Sequence, residues 1–320
     1  VNDFARIDPT PPKGPALELS IVAPCFKEGR NILKFVDVVS EILDKNSSSW
    51  EIVLVDDGSP DDTWTRISEV AKQYPGRVHG LRLSRNFGKE SALVAGLVAA
   101  RGSAVVTMDA DLQHPPGTIP EMLAHWRGGA QVVHGVKVNR PGQGWLGRAL
   151  SRTFNRVFTR LTSVDLRSAS DFKLLDRRAL SGLLELNEVN VFYRGTSRWI
   201  GFRQQSVQFE VLSRAAGRST YSYRSLFRLA LGALTSFTPA PLHFVTFSGF
   251  AFGLFALMLG IQTFVRFLLG DAVPGFTTTI LLLLFLGGLI LTGLGVIGEY
   301  LARIHDEVKN RPRYLLSDET

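Results

Sequence analysis

From Leu17 onward the chain alternates between two rhythms of apolar and polar positions. Short apolar runs at Leu19–Ala23, Glu51–Asp56, Val78–Leu83, Ala104–Met108 and Gln131–Gly135 read as strands. The stretches between them, Asn31–Lys45, Asp61–Tyr74, Lys89–Ala100 and Ile119–Arg127, read as helices. Strand–helix alternation predicts an α/β domain with a mostly parallel sheet and helices on both faces. Ligands of such sheets sit at the carboxyl ends of the strands, so the polar loops that follow the strands are where chemistry belongs. Residues 1–16 carry Pro9, Pro11, Pro12 and Pro15 and no apolar signal-peptide core, so they read as a mobile tail and the globular part is expected to stay in the cytosol.

The pattern changes in the last third. Residues 229–265 contain no charge, and neither do residues 272–298. A membrane span needs about 20 apolar residues, so the expected spans are about 242–265 and 273–298, joined as a hairpin by Arg266–Asp271. Residues 226–240 then read as an interfacial helix and residues 299–320 as a cytosolic tail. That tail carries Arg303, Lys309, Arg311 and Arg313, and basic residues on both flanks put both ends in the cytosol. Between the two regions, residues 145–161 place Arg148, Arg152, Arg156 and Arg160 four apart beside Leu146, Leu150, Phe154, Val157, Phe158 and Leu161. Such a helix either lies on a membrane surface with arginines near lipid phosphates or shows water a solvated basic face.

Charge sharpens the choice of partner. The 320 residues carry a net charge of +7, which favours anionic partners. No zinc-finger, basic-zipper or RNP-like pattern is present, so nucleic acid is not expected. The single cysteine, Cys25, excludes an internal disulfide framework and a cysteine zinc cluster.

Three loops carry candidate chemistry. Asp109-Ala110-Asp111 follows the fourth strand, and two carboxylates one residue apart can share a divalent cation with a diphosphate. The plain alternative is a turn with helix-capping aspartates. Asp56-Asp57-Gly58-Ser59 ends the second strand, either to receive a base or ribose or as a simple turn. Ser84-Arg85-Asn86-Phe87-Gly88-Lys89-Glu90 opens a helix, where amides and a lysine suit phosphate; the alternative is a capped helix with a solvated lysine.

Together, Pro24, Glu28, Val55–Ser59, Ser84–Glu90 and Asp109–Gln113 resemble the fingerprint of the family 2 glycosyltransferases with the GT-A (Rossmann-like) fold. Within them the chain is similar to the polyprenyl-phosphate glycosyltransferases, the bactoprenol glucosyltransferases and dolichyl-phosphate mannose synthases. Ser170–Arg177, Gly217–Tyr221 and Gly298–Arg303 extend the likeness over roughly residues 17–315.

The resemblance implies site roles. Pro24, Glu28 and Asp57 would hold base and ribose, with Lys89 and Asp109 toward the donor phosphates. Asp109, Asp111 and Gln113 would surround Mg²⁺ or Mn²⁺. Asp111 and Asp171 would be catalytic, Asp171 beside the reacting sugar. Lys137, Arg140, Arg152, Arg214 and Ser219 would gather around the acceptor phosphate. Three positions depart from the family pattern: Lys27 stands for a frequent Asn, Lys137 for a frequent Arg, and Thr220 for a frequent Lys.

The implied reaction moves a hexose, first UDP-glucose and alternatively GDP-mannose, to polyprenyl phosphate with inversion. A phosphate with a second pKa of about 6 is already ionised at neutral pH and needs no strong base. Asp171 is then expected to orient rather than to abstract a proton. Implied partners are the nucleotide-sugar, the polyprenyl phosphate, membrane lipids and further copies of the chain as a dimer or tetramer, at the cytoplasmic membrane. A processive polysaccharide synthase is disfavoured, because Gly195-Thr196-Ser197-Arg198-Trp199 lacks the first Gln of the Gln-x-x-Arg-Trp motif of those enzymes. A non-catalytic membrane scaffold is disfavoured by intact Asp109, Asp111 and Asp171.

Overall fold

The computed structural model describes residues 17–138, 169–186, 193–210, 240–269, 275–309 and 311–320. The expected strands and helices of the first half are all present. They are β1 (Leu19–Cys25), α1 (Ile32–Asn46), β2 (Trp50–Asp56), α2 (Thr63–Gln73), β3 (Val78–Leu83), α3 (Lys89–Ala99), β4 (Ala104–Thr107), α4 (Ile119–Arg127) and β5 (Val132–Lys137). Further along come β6 (Ala169–Asp176), α5 (Arg177–Leu184), α6 (Tyr193–Trp199) and β7 (Gln204–Phe209). Two long helices, α7 (Ala240–Leu268) and α8 (Phe276–Lys309), precede a last strand, β8 (Leu316–Glu319).

One sheet collects all eight strands in the order β7-β5-β6-β4-β1-β2-β3-β8. Pairs β1–β2, β1–β4, β2–β3 and β5–β7 are parallel; β4–β6, β5–β6 and β3–β8 are antiparallel. Every residue of β2 is buried, as expected of a parallel strand covered on both faces. Helix α1 buries Ile32, Phe35, Val36, Val39 and Leu43, a stripe at helical spacing. With α2 and α4 it covers one face of the sheet, while α3 and α5 cover the other.

Residues up to Thr220 and Pro312–Thr320 form one compact unit, and Tyr221–Arg311 form another. In the second, Leu242–Arg266 and Phe285–Lys309 are long and apolar enough to cross a membrane, with mean hydropathies of 2.0 and 1.6. Their helices pack through Phe252 and Phe285, whose rings lie 5.3 Å apart.

The expected cytosolic tail, 299–320, is corrected in two ways. Its first part continues α8 to Lys309: Glu299, Leu301, Ala302, Arg303, Glu307 and Lys309 favour helix, and no Gly or Pro interrupts the segment. Its last part is strand β8, so the domain expected over 17–225 is completed by residues from beyond the long helices. Four residues carry too little periodicity to announce a strand whose partner lies so far away in sequence. The expected tail 1–16, surface helix 145–161 and most of the interfacial helix 226–240 lie outside the described residues.

Candidate active site

The site grows from the loops at the carboxyl ends of β2, β3 and β4. In the β2 loop, Asp56 Oδ1 accepts the Ser59 amide at 3.0 Å. Gly58, at φ +63°, lies against the backbone of Arg85, a close approach that a side chain would block. Asp57, 3% exposed, accepts the Phe87 amide at 2.7 Å and the Gly88 amide at 2.9 Å. The carboxylate expected at the base and ribose thus holds the loop that leads into α3.

Lys89 opens α3. Although its side chain is 42% exposed, Nζ lodges between Asp109 Oδ1 at 2.6 Å and Asp171 Oδ2 at 2.7 Å. The antiparallel register of β4 and β6 pairs Thr107 with Lys173, and continuing it by two residues sets Asp109 opposite Asp171. Arg194, in α6, grips Asp171 through Nε at 2.7 Å and Nη2 at 2.8 Å. Burial would raise the Asp171 carboxyl, but the Arg194 hydrogen bonds and the Lys89 charge hold it far below the usual carboxylate range. A carboxylate held so low is a poor proton acceptor. Lys89 is correspondingly held above the ordinary lysine range by Asp109 and Asp171, against the effect of burial.

The Asp109 loop is braced from below. His114 Nδ1 accepts the Asp109 amide at 3.1 Å, and its ring stacks on Phe172 at 5.2 Å. Burial pushes the imidazole down to about 4, so it is neutral near pH 7. Asp111 Oδ1 accepts the Gln113 amide at 3.0 Å, closing a turn in which Leu112 adopts φ 58°. Lys137 also faces the cluster: burial, with Arg194 nearby, lowers its pKa, and Asp109 and Asp171 oppose that shift.

Arg194 is itself held in place. Lys173, fully buried on the same face of β6 as Asp171, donates to the Tyr193 carbonyl at 3.4 Å, the Arg194 carbonyl at 3.2 Å and Ser197 Oγ. Burial pushes its ammonium down to about 7. Glu90 Oε2 accepts the Tyr193 amide at 3.2 Å. Burial, then the charge of Asp171, pushes the Glu90 carboxyl up to about 7. The unfolded chain therefore loses this proton first. The stability that the group contributes is complete below pH 4.5 and is lost as pH rises to about 7. Glu90→Gln should remove this loss, so its unfolding free energy relative to the parent should climb by about 2–3 kcal/mol between pH 5 and pH 8. Denaturant titrations in detergent at both pH values check this; an equal difference at both refutes it.

The structure therefore brings together Lys89, Asp109, Asp171 and Lys137 from the expected set, with Asp111 and Gln113 on the same loop as Asp109. Pro24 stands near the end of β1 opposite Val55, and Glu28 Oε2 accepts from Asn31 Nδ2 at 2.6 Å. Arg140, Arg152, Arg214 and Ser219 lie outside the described residues. Reading the sequence missed Arg194, Lys173, Glu90, Tyr193 and His114. A lysine inside the apolar run Phe172–Leu175 was the one signal available, since a buried cation needs fixed partners.

Comparison with known proteins decides what this cluster belongs to. The sequence model described as glycosyl transferase family 2 matches residues 20–181. An uncharacterized glycosyltransferase of Synechocystis sp. is 37% identical over 304 residues, covering 94% of this chain and 95% of the other. The chain belongs to glycosyltransferase family 2. A prophage-derived bactoprenol glucosyl transferase of Shigella flexneri is 35% identical, with 94% of this chain and 97% of that protein covered. The bactoprenol glucosyl transferase of Shigella phage SfV is 34% identical, with 95% and 99% covered. Among solved structures, glucosyl-3-phosphoglycerate synthase from Mycobacterium tuberculosis aligns over 69% of this chain and 79% of its own, with 23% identity and a TM-score of 0.49. Membership makes the chain a glycosyl-transferring enzyme with a GT-A-like α/β domain.

Proposed function

We propose that this family 2 enzyme transfers a hexose, with UDP-glucose as the first candidate donor, to the phosphate of a polyprenyl carrier and inverts the anomeric centre. The observation that carries the reading is the Asp109–Lys89–Asp171–Arg194 cluster. It sets two fixed cations and two ionised carboxylates at the strand ends, where a sugar, a diphosphate and an acceptor phosphate have to meet. The names of the Shigella relatives and the two apolar helices support a lipid acceptor.

Lys89, Lys137 and Arg194 offset the repulsion between donor and acceptor anions. Asp171, pinned by two cations and a poor base, orients sugar hydroxyls; an ionised acceptor phosphate is nucleophilic unaided. Asp109 and Asp111 supply hard oxygens suited to Mg²⁺ or Mn²⁺. Among the described residues no three His, Cys, Asp or Glu side chains converge on a cation site. Nucleotide-bound Mg²⁺ is usually held by one or two carboxylates plus substrate phosphates, and Asp109 and Asp111 would hold it in that way together with the donor diphosphate. Such an ion would stabilise the departing nucleoside diphosphate.

β8 also bears on topology. It pairs with β3 in the same sheet, although the two long helices lie between them in sequence. If both helices span, the chain crosses an even number of times and the catalytic unit and residues 312–320 share one side. The basic residues after α8 support the cytosol as that side.

Membranes containing the chain, undecaprenyl phosphate, Mg²⁺ or Mn²⁺ and a panel of labelled nucleotide-sugars test the reading. UDP-glucose is expected to give chloroform-extractable, β-linked product. Label appearing only in water-soluble polymer, or no lipid product from any donor, overturns it.

A further inference from the structure

The loop Ser84–Gly88 delivers Lys89 to the two carboxylates, and it is held at both ends. At its far end, Phe87 and Gly88 donate their amides to Asp57. At its near end, the Ser84 amide donates to the carbonyl of Leu315 at 2.9 Å. That partner comes from the segment after α8, more than two hundred residues further along the chain.

The attachment is extensive. β8 pairs Leu81 with Glu319, Arg82 with Asp318 and Leu83 with Leu316. The Thr320 amide donates to the Gly80 carbonyl at 3.0 Å, and the Gly80 amide donates to Thr320 Oγ1 at 2.7 Å. A Cβ on Gly80 would clash with Ile67 Cγ2 at 2.5 Å and crowd the Thr320 side chain at 3.2 Å, so glycine there leaves room for both. Just before the strand, Tyr314 packs on the same core patch as Phe87 of the loop. Arg313 Nη2 donates to the Leu186 carbonyl. The Arg82–Asp318 ion pair, at 3.7 Å with both side chains exposed, adds little.

We infer that residues 312–320 are a positioning segment for the donor loop: by accepting the Ser84 amide and packing Tyr314 on the core cluster that Phe87 also covers, they set where Lys89 stands. The functional part rests on the proposed reading, in which the Lys89 loop meets the donor diphosphate. Covering the β3 edge by itself would be a structural service, because open edges pair promiscuously. The two roles separate experimentally. An edge cover changes overall stability alone, whereas a loop brace changes donor affinity and spares the acceptor.

The test compares, in detergent, the full chain, a chain ending at Arg311, and the shortened chain supplied with a synthetic peptide of residues 312–320. Amide exchange is read at Ser84, Phe87 and Gly88. Initial rates are read with undecaprenyl phosphate and whichever nucleotide-sugar the full chain turns over. In the shortened chain these amides should exchange at least about tenfold faster. The apparent KM for the donor should rise about tenfold, that for the lipid should stay within twofold, and peptide should reverse the changes. Should the shortened chain fail to fold, Thr320→Pro in the full chain removes both the amide and the hydroxyl that bond Gly80, and the same direction of change is expected at smaller size. Unchanged exchange at Ser84, donor and lipid KM rising together, or a peptide without effect each overturns the brace. A full chain that turns over no nucleotide-sugar refutes the proposed activity instead, and the exchange arm still decides whether the segment holds the loop.

Discussion

Asp171→Asn should fold and lose about a thousandfold in kcat, with the apparent donor KM unchanged or lower. The site holds Asp171 between Arg194 and Lys89 at 2.7–2.8 Å. The carboxamide removes one negative charge and leaves both cations. It accepts through one oxygen where the carboxylate accepts through two, and its NH₂ turns against a guanidinium or an ammonium. Bidentate geometry is therefore lost. Excess positive charge still attracts an anionic donor, which keeps KM low. The orientation of Arg194 and of the sugar degrades, and losses of 10²–10⁴ are usual when a positioned group of this kind is removed. Single-turnover transfer, with donor binding measured separately, checks the split. A tenfold rise in donor KM at undiminished kcat would show that Asp171 serves donor binding alone.

The second large effect is expected at Asp111. Asp111→Ala removes an oxygen donor and also the acceptor that closes the turn on Gln113 at 3.0 Å. Asp111→Asn keeps the turn acceptor and loses the charge. Both variants should lose about 10²–10³ in kcat/KM, the size associated with losing one group that stabilises developing charge. The parent should stop in excess EDTA and recover on adding Mn²⁺ or Mg²⁺. Because Asp109 shares its Oδ1 with Lys89 at 2.6 Å, the cation should bind weakly without nucleotide and far better with UDP present. Mn²⁺ titrations followed by electron paramagnetic resonance, with and without UDP, read this directly. Full activity in excess EDTA would remove the metal from the site.

The legible parts of this protein were those written locally. The strands and helices from Leu19 to Lys137 follow from short buried runs and helical stripes such as Ile32–Leu43. The Asp109 loop was findable because its two carboxylates follow a strand and stand with the other loops of a recognisable fingerprint. Arg194 was not findable, because what makes it functional is contact with Asp171, 23 residues away, and support from Lys173 and Glu90. Nothing about an arginine after a tyrosine encodes that. Asp57 shows the opposite case. Its place at a strand end is clear in the sequence, yet its carboxylate serves the Phe87 and Gly88 amides. β8 was hidden because a four-residue strand has no period of its own, and its identity is settled by a partner far away in sequence.

That strand also sets a clock on biosynthesis. Leu316 leaves the ribosome about 230 residues after its partner Leu83. At roughly 5–20 residues per second, this amounts to about 10–50 seconds. During that interval both apolar helices have to be made and, if they span as proposed, delivered to a bilayer, while the β3 edge waits without its neighbour. The nascent catalytic unit is therefore most exposed to wrong strand partners while the two apolar helices are being made. Slowing insertion should raise aggregation of the chain even though every residue of its first seven strands has already been translated.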